Sequence, residues 1–518
     1  MHHGSRSEAP AERAVHAVAP SAGQSLRGTV WTLADQLGIV ARAPGELVAA
    51  LKHDPRRTVI VLPDLHTEDV AELALDLVAL PHVRLIVESR SQSPAHRLLS
   101  AAACAELDLD LEQWRDQQRY EQWQAAMPDS HDTAAPRPVN AADDLDLSDP
   151  VALCEADPWQ VTAAYDRDAG HEHGGLRAAW LQVGQALCRE QRLASRALHL
   201  LTALGDGADP RIAPALRVTA AAADWRMAWS RARGDMTPPW PGPVTTLAVG
   251  TGPLADSVIV AASGGMVKAV RLADAGAQGR LPPISFQPVA MTVLPDGAML
   301  MLDENGHIEA ESGWATPAAE SGLAGLLDQS PTSTQRLLDI LRGHTGTALT
   351  HTAGNDLGTL GLGDATGTVR AFGEISDTAG LHDGPVNSLT ALNLPLGDGV
   401  TVPLIYSGGA DGTVRTWSPG SAPMTGPVLQ RPCPVVSLDS AVTHNGPAIV
   451  VAWGDNTVEY IHWDSGVQHT FRPGPPVRAV ALDENGRVLI GMDESLISLI
   501  PRHPSVDEDV VQQREPAD

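Results

Sequence analysis

Several short stretches carry residues whose types and spacing could do chemistry. His171 and His173 flank Glu172, so two imidazoles could reach one metal ion, but Gly174 and Gly175 follow directly and favour a solvated loop. The four cysteines form no CxxC pair, which argues against a zinc knuckle and a disulfide framework. The motifs of serine hydrolases, zinc proteases and EF-hands are missing from the sequence. We therefore expect no bound metal and no catalytic residue.

Two glycine-containing stretches have the spacing of phosphate-binding loops. Residues 23–29 contain no lysine and follow no predicted strand. Such a loop needs a lysine ammonium that reaches the β- and γ-phosphates, and neither Lys52 nor Lys268 lies in one. Residues 250–255 mimic a dinucleotide fingerprint, but a strand is predicted next, at 257–262, so no helix N-terminus would face a pyrophosphate. We therefore expect no cofactor.

The elements that would position chemical groups begin with an α/β segment. Continuous apolar strands are predicted at Thr58–Leu62 and Val83–Val87, and a further strand near Glu106–Leu109. The predicted helices run from Leu26 to Leu37, Glu46 to Leu51, Asp69 to Leu80 and Ala95 to Ser100. Apolar strands that alternate with helices indicate a parallel sheet covered on both faces.

The first of these strands ends at Asp64 and the second just before Arg90. Over about residues 25–125 this pair resembles the Walker B and sensor strands of P-loop NTPases of the AAA/NACHT type. In that family the strand-end carboxylate holds magnesium. Here Leu65 replaces the family's adjacent glutamate, and the loop lysine is missing. The resemblance thus implies a degenerate NTPase core with a vestigial Asp64 and a sensor-like Arg90. Asp64 is then expected to be a strand-end or helix-capping carboxylate.

From about Val244 the pattern changes to short strands rich in Val, Ile, Thr and Leu, broken by Gly, Pro, Asn and Asp. That spacing indicates an all-β sandwich or propeller. The strand–turn units start at Val244, Val289, Ala348, Val386, Val435 and Val477. Their spacing is close to the ~40–45 residues of a propeller blade, except where residues 311–340 intervene.

The best unit, from Val386 to Trp417, and its weaker copies resemble WD40 repeats over roughly residues 225–502. The residues that carry this resemblance are Gly343, His344, Asp364, Asp411, Gly412, Trp417, Asp455, Trp463 and Asp464. It implies a propeller of six or seven blades, with residues 311–340 either an insertion or a degenerate seventh blade. Because His382-Asp383 replaces the Gly-His pair before the best unit, the family's buried Asp–His–Ser/Thr–Trp network is expected to be incomplete.

Ring closure needs one more strand, because the last repeat supplies three. Residues Trp225–Trp229 have strand character and are predicted to complete the last blade; the alternative is a free connecting strand. Between Pro150 and about Leu216 apolar residues recur at helical spacing, which predicts a small helical bundle.

The net charge of −27 argues against a nucleic-acid or anionic-membrane partner. No apolar run reaches the ~18–20 residues of a membrane span, and the N-terminus lacks the apolar core of a signal peptide. We therefore expect a cytoplasmic protein. The preference for arginine over lysine is typical of a GC-rich genome, and the composition suggests a bacterial, actinobacterial-like source.

The sequence thus predicts a multidomain chain: an N-terminal α/β parallel sheet, a helical middle segment and a C-terminal all-β propeller. The predicted boundaries are 1–24 disordered, 25–128 α/β remnant, 129–147 linker, 148–222 helical segment, 223–502 propeller and 503–518 acidic disordered tail. We expect a non-enzymatic, scaffold-type protein that contacts other proteins through propeller loops, with self-association left open. The candidate contact residues are Arg342, Arg370, Arg415 and Trp417, although Trp417 is expected to pack inside a blade.

Two enzymatic alternatives remain. One is an NTP-binding or NTP-hydrolysing signalling protein with a divergent phosphate loop. The other is a hydrolase or lyase with a site in the central channel of the propeller, which would require convergent His, Glu or Asp side chains at one end of that channel.

Overall fold

The computed structural model forms two compact units, Met1–Glu172 and His173–Asp518. The structure describes residues 14–20, 24–102, 104–109, 111–112, 116–126, 145–168, 170–189, 191–232, 243–313, 333–353, 357–397 and 400–502. The predicted acidic tail, and most of the predicted linker and N-terminal disordered segment, lie outside these residues.

The first unit is a parallel sheet of strand order β1-β2-β3 with helices around it. Its elements are β1 Ala17–Val18, α1 Leu26–Leu37, α2 Pro44–His53, β2 Thr58–Leu65, α3 Glu68–Val78, β3 Val83–Ser89, α4 Pro94–Ser100, α5 Gln117–Ala126, α6 Pro150–Glu155 and α7 Pro158–Arg167. Helix α1 begins where the Ser25 hydroxyl accepts the Gly28 N–H (3.2 Å) and ends at Gly38, whose φ of 68° needs a glycine. Between these caps α1 buries Trp31 and Leu33.

Two expectations for this sheet are wrong. The third strand is β1, from the segment expected to be disordered, and the described residues 104–109 contain no strand. The expectation that both faces of the sheet are covered is wrong at β3, because burial alternates along this strand and leaves Arg84, Ile86 and Glu88 exposed. The five residues Val83–Val87 look mostly apolar in sequence because Ile86 fills one of the outward positions of this edge strand, between the inward-facing Leu85 and Val87.

The helical middle segment is divided between the units, since α6 and α7 belong to the first. The second unit begins with α8 Leu176–Leu187, α9 Leu193–Ala203 and α10 Ile212–Thr219. Helix α8 lies close to the connection after the fifth blade, where a Cβ on Gly474 would be 1.7 Å from the Gln182 carbonyl oxygen. Only glycine permits this approach.

The remainder of the second unit is a β-propeller, with six sheets in the described residues. Blade 1 holds β5 Val244–Val249, β6 Ser257–Ala262, β7 Met266–Arg271 and β8 Ala277–Arg280. Blade 2 holds β9 Ala290–Val293, β10 Met299–Leu302 and β11 Ile308–Glu311. Blade 3 holds β12 Ala348–Thr352, β13 Thr359–Gly363, β14 Thr368–Phe372 and β15 Asp377–Gly380.

The other three blades follow the same antiparallel order. Blade 4 holds β16 Val386–Gly397, β17 Val400–Gly409, β18 Thr413–Trp417 and β19 Leu429–Gln430. Blade 5 holds β20 Val435–Thr443, β21 Gly446–Trp453, β22 Val458–His462 and β23 Val467–Phe471. Blade 6 holds β24 Val477–Leu482, β25 Val488–Met492, β26 Ser495–Pro501 and β4 Trp225–Ala232.

Closure of the ring by β4 is confirmed. Strand β4 pairs antiparallel with β26, so that Trp225 faces Pro501 and Ala232 faces Ser495. The innermost strands contact one another in the cyclic order β5, β9, β12, β16, β20, β24 and back to β5. The strand that precedes the first blade therefore supplies the outer strand of the last.

Blade 2 differs from the others because a helix lies beside its third strand. Helix α11, Ser333–Leu341, contacts β11, and its Leu337 and Leu341 pack with Leu300 and Leu302 of β10. The described part of the predicted insertion is therefore a helix that extends the core of this blade, and it forms no further blade.

Candidate functional site

The two candidate residues of the first unit lie at one edge of the sheet. Strands β2 and β3 run parallel and pair Leu65 with Ser89, so Asp64, the last residue but one of β2, and Arg90, directly after β3, lie at the same carboxyl edge of the sheet. Asp64 has a φ of 50°, at an irregularity in the pairing. The N-cap of helix α3 is Thr67, and Asp64 lies near the end of β2, so the structure shows the strand-end position among the two roles expected for Asp64.

The described part of the glycine-spaced stretch, residues 24–29, lies at the start of α1. Contrary to expectation a strand does precede it, since β1 ends at Val18. Gly28 lies within helix α1, and a Cβ there would approach Trp159 of α7 to 3.3 Å. This glycine therefore serves helix packing.

The buried polar network of blade 4 is more complete than the sequence suggested. The buried His382 imidazole lies with Nε2 2.8 Å from the Ser407 hydroxyl and Nδ1 3.1 Å from an Asp411 carboxylate oxygen. The Thr413 hydroxyl is 3.0 Å from Nδ1 and donates to Asp411 at 2.8 Å. His382 is therefore the histidine of this network, although no Gly-His pair precedes the blade.

Trp417, the tryptophan expected in this network, forms its hydrogen bond with a different partner. The Trp417 indole N–H donates to the Ser421 carbonyl oxygen (2.9 Å), and the ring is buried between blades 3 and 4 with Val386 and Ile405. Trp417 therefore packs in the blade, as expected. His344 lies against the Phe372 ring, 5.0 Å between centroids.

The aspartates of the signature residues shape a repeated turn between the second and third strands of a blade. Asp364, Asp411 and Asp455 each accept the backbone N–H two residues later, at 2.9, 3.0 and 3.0 Å. Asp303 makes the same turn in blade 2 at 2.9 Å, and sequence reasoning missed it. These carboxylates fix turns whose glycines have positive φ, such as Gly412 at 75°.

The candidate contact arginines are tied to carboxylates of the propeller. Arg370 forms an ion pair with Asp364 (3.2 Å), and Arg342 forms one with Asp339 (2.7 Å). The structure does not bring these two arginines into a common site with Trp417.

An apolar set of side chains is exposed on one face of blades 3 to 5. Ile375 and Met424, in the connections between third and fourth strands of blades 3 and 4, are 49% and 58% exposed. Trp463 takes the same position in blade 5, is 36% exposed, and stacks on Tyr406 of blade 4 at 6.4 Å. Val442, at the end of β20, is also exposed. These four residues, the apolar loop surface, share a face because first–second and third–fourth connections emerge at the same ends of the blades.

Neighbouring loops of this surface are in contact. The backbone N–H of Gly420 in blade 4 donates to the Asp377 carboxylate of blade 3 (2.8 Å). A Cβ on Gly420 would lie 3.5 Å from the Ile375 side chain. The apolar loop surface therefore runs across adjoining blades, on loops fixed to one another.

The innermost strands line a central channel of about 610 Å³. Asp439 of blade 5 accepts hydrogen bonds there from the Thr390 hydroxyl (2.9 Å), the Ser440 N–H (2.8 Å) and the Leu482 N–H (2.8 Å). Burial raises the pKa of Asp439 to about 6, although these three donors oppose the shift. The carboxylate thereby ties blades 4, 5 and 6 together.

The two imidazoles of the candidate metal motif lie in different settings: the His171 Nδ1 is 2.5 Å from the Asp168 carboxylate, and His173 begins a short 3₁₀ turn ending at Gly175. Among the described residues no group of three or more His, Cys, Asp or Glu side chains is placed to hold a metal ion. In the same part of the chain, no helix is long and apolar enough to cross a membrane.

Fold and geometry together define a class: a six-bladed β-propeller that is preceded by a unit with a parallel three-stranded sheet. Comparison of the sequence with models of known protein families gives no match, and comparison with curated proteins gives none either.

Proposed function

We propose that this chain is a non-enzymatic, bacterial, cytoplasmic scaffold of the WD40 type, which binds another protein through its propeller. The observation that carries the proposal is the apolar loop surface, because exposed Trp, Met and Ile side chains clustered on rigid loops are typical of protein-binding patches. The polar side chains of blade 4 support it, since His382, Ser407 and Asp411 bond to one another inside the blade. In this proposal the first unit is a pseudo-NTPase domain that contributes contacts.

Affinity purification from the native cells tests this function with three versions of the full chain. Met424→Asp places a charge on the blade 4 loop of the apolar loop surface, where it would have to be desolvated on binding. Val218→Asp is the matched control, because Val218 on α10 is 78% exposed and lies outside that surface. We expect proteins captured by the wild type to be lost with Met424→Asp and retained with Val218→Asp.

Equal capture by all three chains would contradict the proposed surface. Sedimentation velocity of the purified chains identifies the case in which the partner is a second copy, because a dimer would dissociate with Met424→Asp alone.

The second candidate is an NTP-binding protein, and the position of β1 favours it. A strand that lies parallel beside β2 and leads into α1 is the arrangement that precedes a phosphate loop. Millimolar ATP or GTP with magnesium should then raise the melting temperature of the first unit's transition, and Asp64→Ala should abolish the rise. Our scaffold proposal predicts no rise in either chain.

A further inference from the structure

The apolar loop surface carries an exposed indole that is held in place. The Trp463 backbone N–H donates to the Pro447 carbonyl oxygen of β21 (3.1 Å), and the indole stacks on the Tyr406 ring with an interplanar angle of 4°. The Trp463 residue is nevertheless 36% exposed. An exposed indole held in this way can bind a cation, because the face of its π-system is negative and tryptophan is the best aromatic acceptor for such contacts.

Two exposed carboxylates flank the apolar side chains of this surface. Asp464 follows Trp463 directly, and Glu374 lies beside Ile375 in the blade 3 loop. Among the described residues neither carboxylate forms an ion pair or a side-chain hydrogen bond. A Cβ on Gly446 would overlap the Asp464 carboxylate, so this group lies at the turn between the first two strands of blade 5. Both carboxylates are therefore available to a partner.

Lysine and arginine do not compensate this negative charge. The first–second and third–fourth connections of blades 3 to 5 contain, among their described residues, two carboxylates and no lysine or arginine. Two arginines of this region point to the opposite ends of the blades, where Arg370 pairs with Asp364 (3.2 Å) and Arg431 pairs with Asp455 (3.3 Å). The apolar loop surface therefore combines exposed apolar side chains with uncompensated negative charge.

We propose that the apolar loop surface binds a protein segment in which apolar side chains are flanked by lysine or arginine. The apolar side chains of the segment pack on Ile375 and Met424, and a cationic side chain contacts Trp463 and pairs with Asp464. Charge complementarity selects this partner, because an acidic segment would meet Glu374 and Asp464 without a compensating cation. This inference rests on the proposed function and adds to it the chemistry of the partner.

Fluorescence polarisation of the full chain with three labelled peptides of equal length tests the proposal. The first peptide alternates leucine with arginine, the second alternates leucine with glutamate, and the third alternates glycine with arginine. We expect saturable binding of the leucine–arginine peptide and clearly weaker binding of the other two, because each of them lacks one of the two required kinds of side chain. Binding should weaken as NaCl is raised from about 50 to 500 mM, because salt screens exposed ion pairs.

Single substitutions locate the binding site on the propeller. Asp464→Asn preserves the shape of the side chain and should weaken binding of the leucine–arginine peptide by about 2- to 5-fold, the usual effect of losing an exposed ion pair. Trp463→Leu keeps an apolar side chain but removes the cation acceptor, and should weaken binding by a similar factor. Glu304→Gln is the matched control, because it removes one exposed carboxylate from the second–third turn of blade 2, and binding should be unchanged.

Failure of this inference can be distinguished from failure of the proposed function. If Met424→Asp abolishes capture of a cellular protein while Glu374→Gln and Asp464→Asn retain it, the surface binds a protein without regard to charge, and only this inference is wrong. Equal binding of the leucine–glutamate peptide, equal weakening by Glu304→Gln and Asp464→Asn, or no binding of the leucine–arginine peptide at about 1 mM would each overturn the inference. A dimer of the chain that dissociates with Met424→Asp would overturn it as well, because the occupant would then be a second copy.

Discussion

A substitution in the polar network of blade 4 is the most direct test of which contacts stabilise this propeller. His382→Ala removes an imidazole that is fully buried between blades 3 and 4. Burial holds the pKa of His382 below its ordinary value, so the ring is neutral at pH 7. The contacts then assign the protons: Nδ1–H donates to Asp411, and Nε2 accepts from the Ser407 hydroxyl.

The cost of His382→Ala follows from these contacts. The bond to Ser407 contributes about 1 kcal/mol, and the charge-assisted bond to Asp411 about 2 kcal/mol. The cavity left by the ring adds about 1–2 kcal/mol. We therefore expect a loss of about 4 kcal/mol in the free energy of unfolding of the second unit, or a melting temperature lower by about 6 °C.

Differential scanning calorimetry of the full chain measures this loss. The control is His307→Ala, because His307 is largely exposed beside Asp303, and its removal should change the free energy of unfolding by less than about 0.5 kcal/mol. Ser407→Ala alone should cost about 1 kcal/mol and should be non-additive with His382→Ala. Equal shifts for His382→Ala and His307→Ala, or strict additivity with Ser407→Ala, would refute the network.

The pH dependence of the same variant has a definite sign. The pKa of His382 is lowered in the folded state, so its contribution to stability is present above about pH 6.5, the ordinary value, and is lost as the pH falls below it. The difference in the free energy of unfolding between wild type and His382→Ala should therefore become smaller as the pH is lowered from 7.5 to 5.

Two other predictions concern the turns and the channel. Gly412→Ala should cost about 2–4 kcal/mol, because φ is 75° and a Cβ would lie 2.2 Å from the Arg431 carbonyl oxygen; Gly264→Ala, at φ 83° with open space around it, should cost only about 1 kcal/mol. Equal melting temperatures for these two variants would contradict the steric argument. Burial raises the pKa of Asp439 to about 6. The contribution of Asp439 to the free energy of unfolding is therefore fully present below its ordinary pKa of 3.8 and is lost as the pH rises through 6. The stability of wild type relative to Asp439→Asn should thus fall by up to about 3 kcal/mol between pH 4 and pH 7 in urea titrations, and parallel pH profiles would show that the carboxylate does not titrate there.

Local signals in the sequence were sufficient for much of this fold. Helix α1 has the predicted bounds because Ser25 and Gly38 are strong caps on either side of an apolar pattern. The blades were found because their turns repeat Asp, Asn and Gly at fixed offsets from the strands. Strand β1 was missed because a two-residue strand has no pattern of its own and exists only through its pairing with β2.

The candidate sites depended on long-range contacts, and there the sequence was less informative. His382 and Asp411 are 29 residues apart, and the motif that usually indicates such a pair has a different residue order here. Arg189 lines one cavity with Arg431 and Arg472, which lie more than 200 positions further along the chain, so no spacing rule could join them. The packing of helices α8 and α9 against blade 5 and the connection that follows it brings them together.

Ring closure itself explains where helix α9 packs on the propeller. Because β4 must be the outer strand of blade 6, the chain that enters it must come from beside that blade, next to blade 5. The contacts follow this path: Ser230 of β4 donates to the Thr202 carbonyl oxygen of α9 (2.6 Å), and the Trp225 indole donates to the Thr470 carbonyl oxygen of blade 5 (3.2 Å). Helix α9 is thereby held over β23, with His199 on Phe471. A propeller closed by a strand from within its last repeat would lack this path of the chain, and with it the β4 contacts that hold α9 over β23.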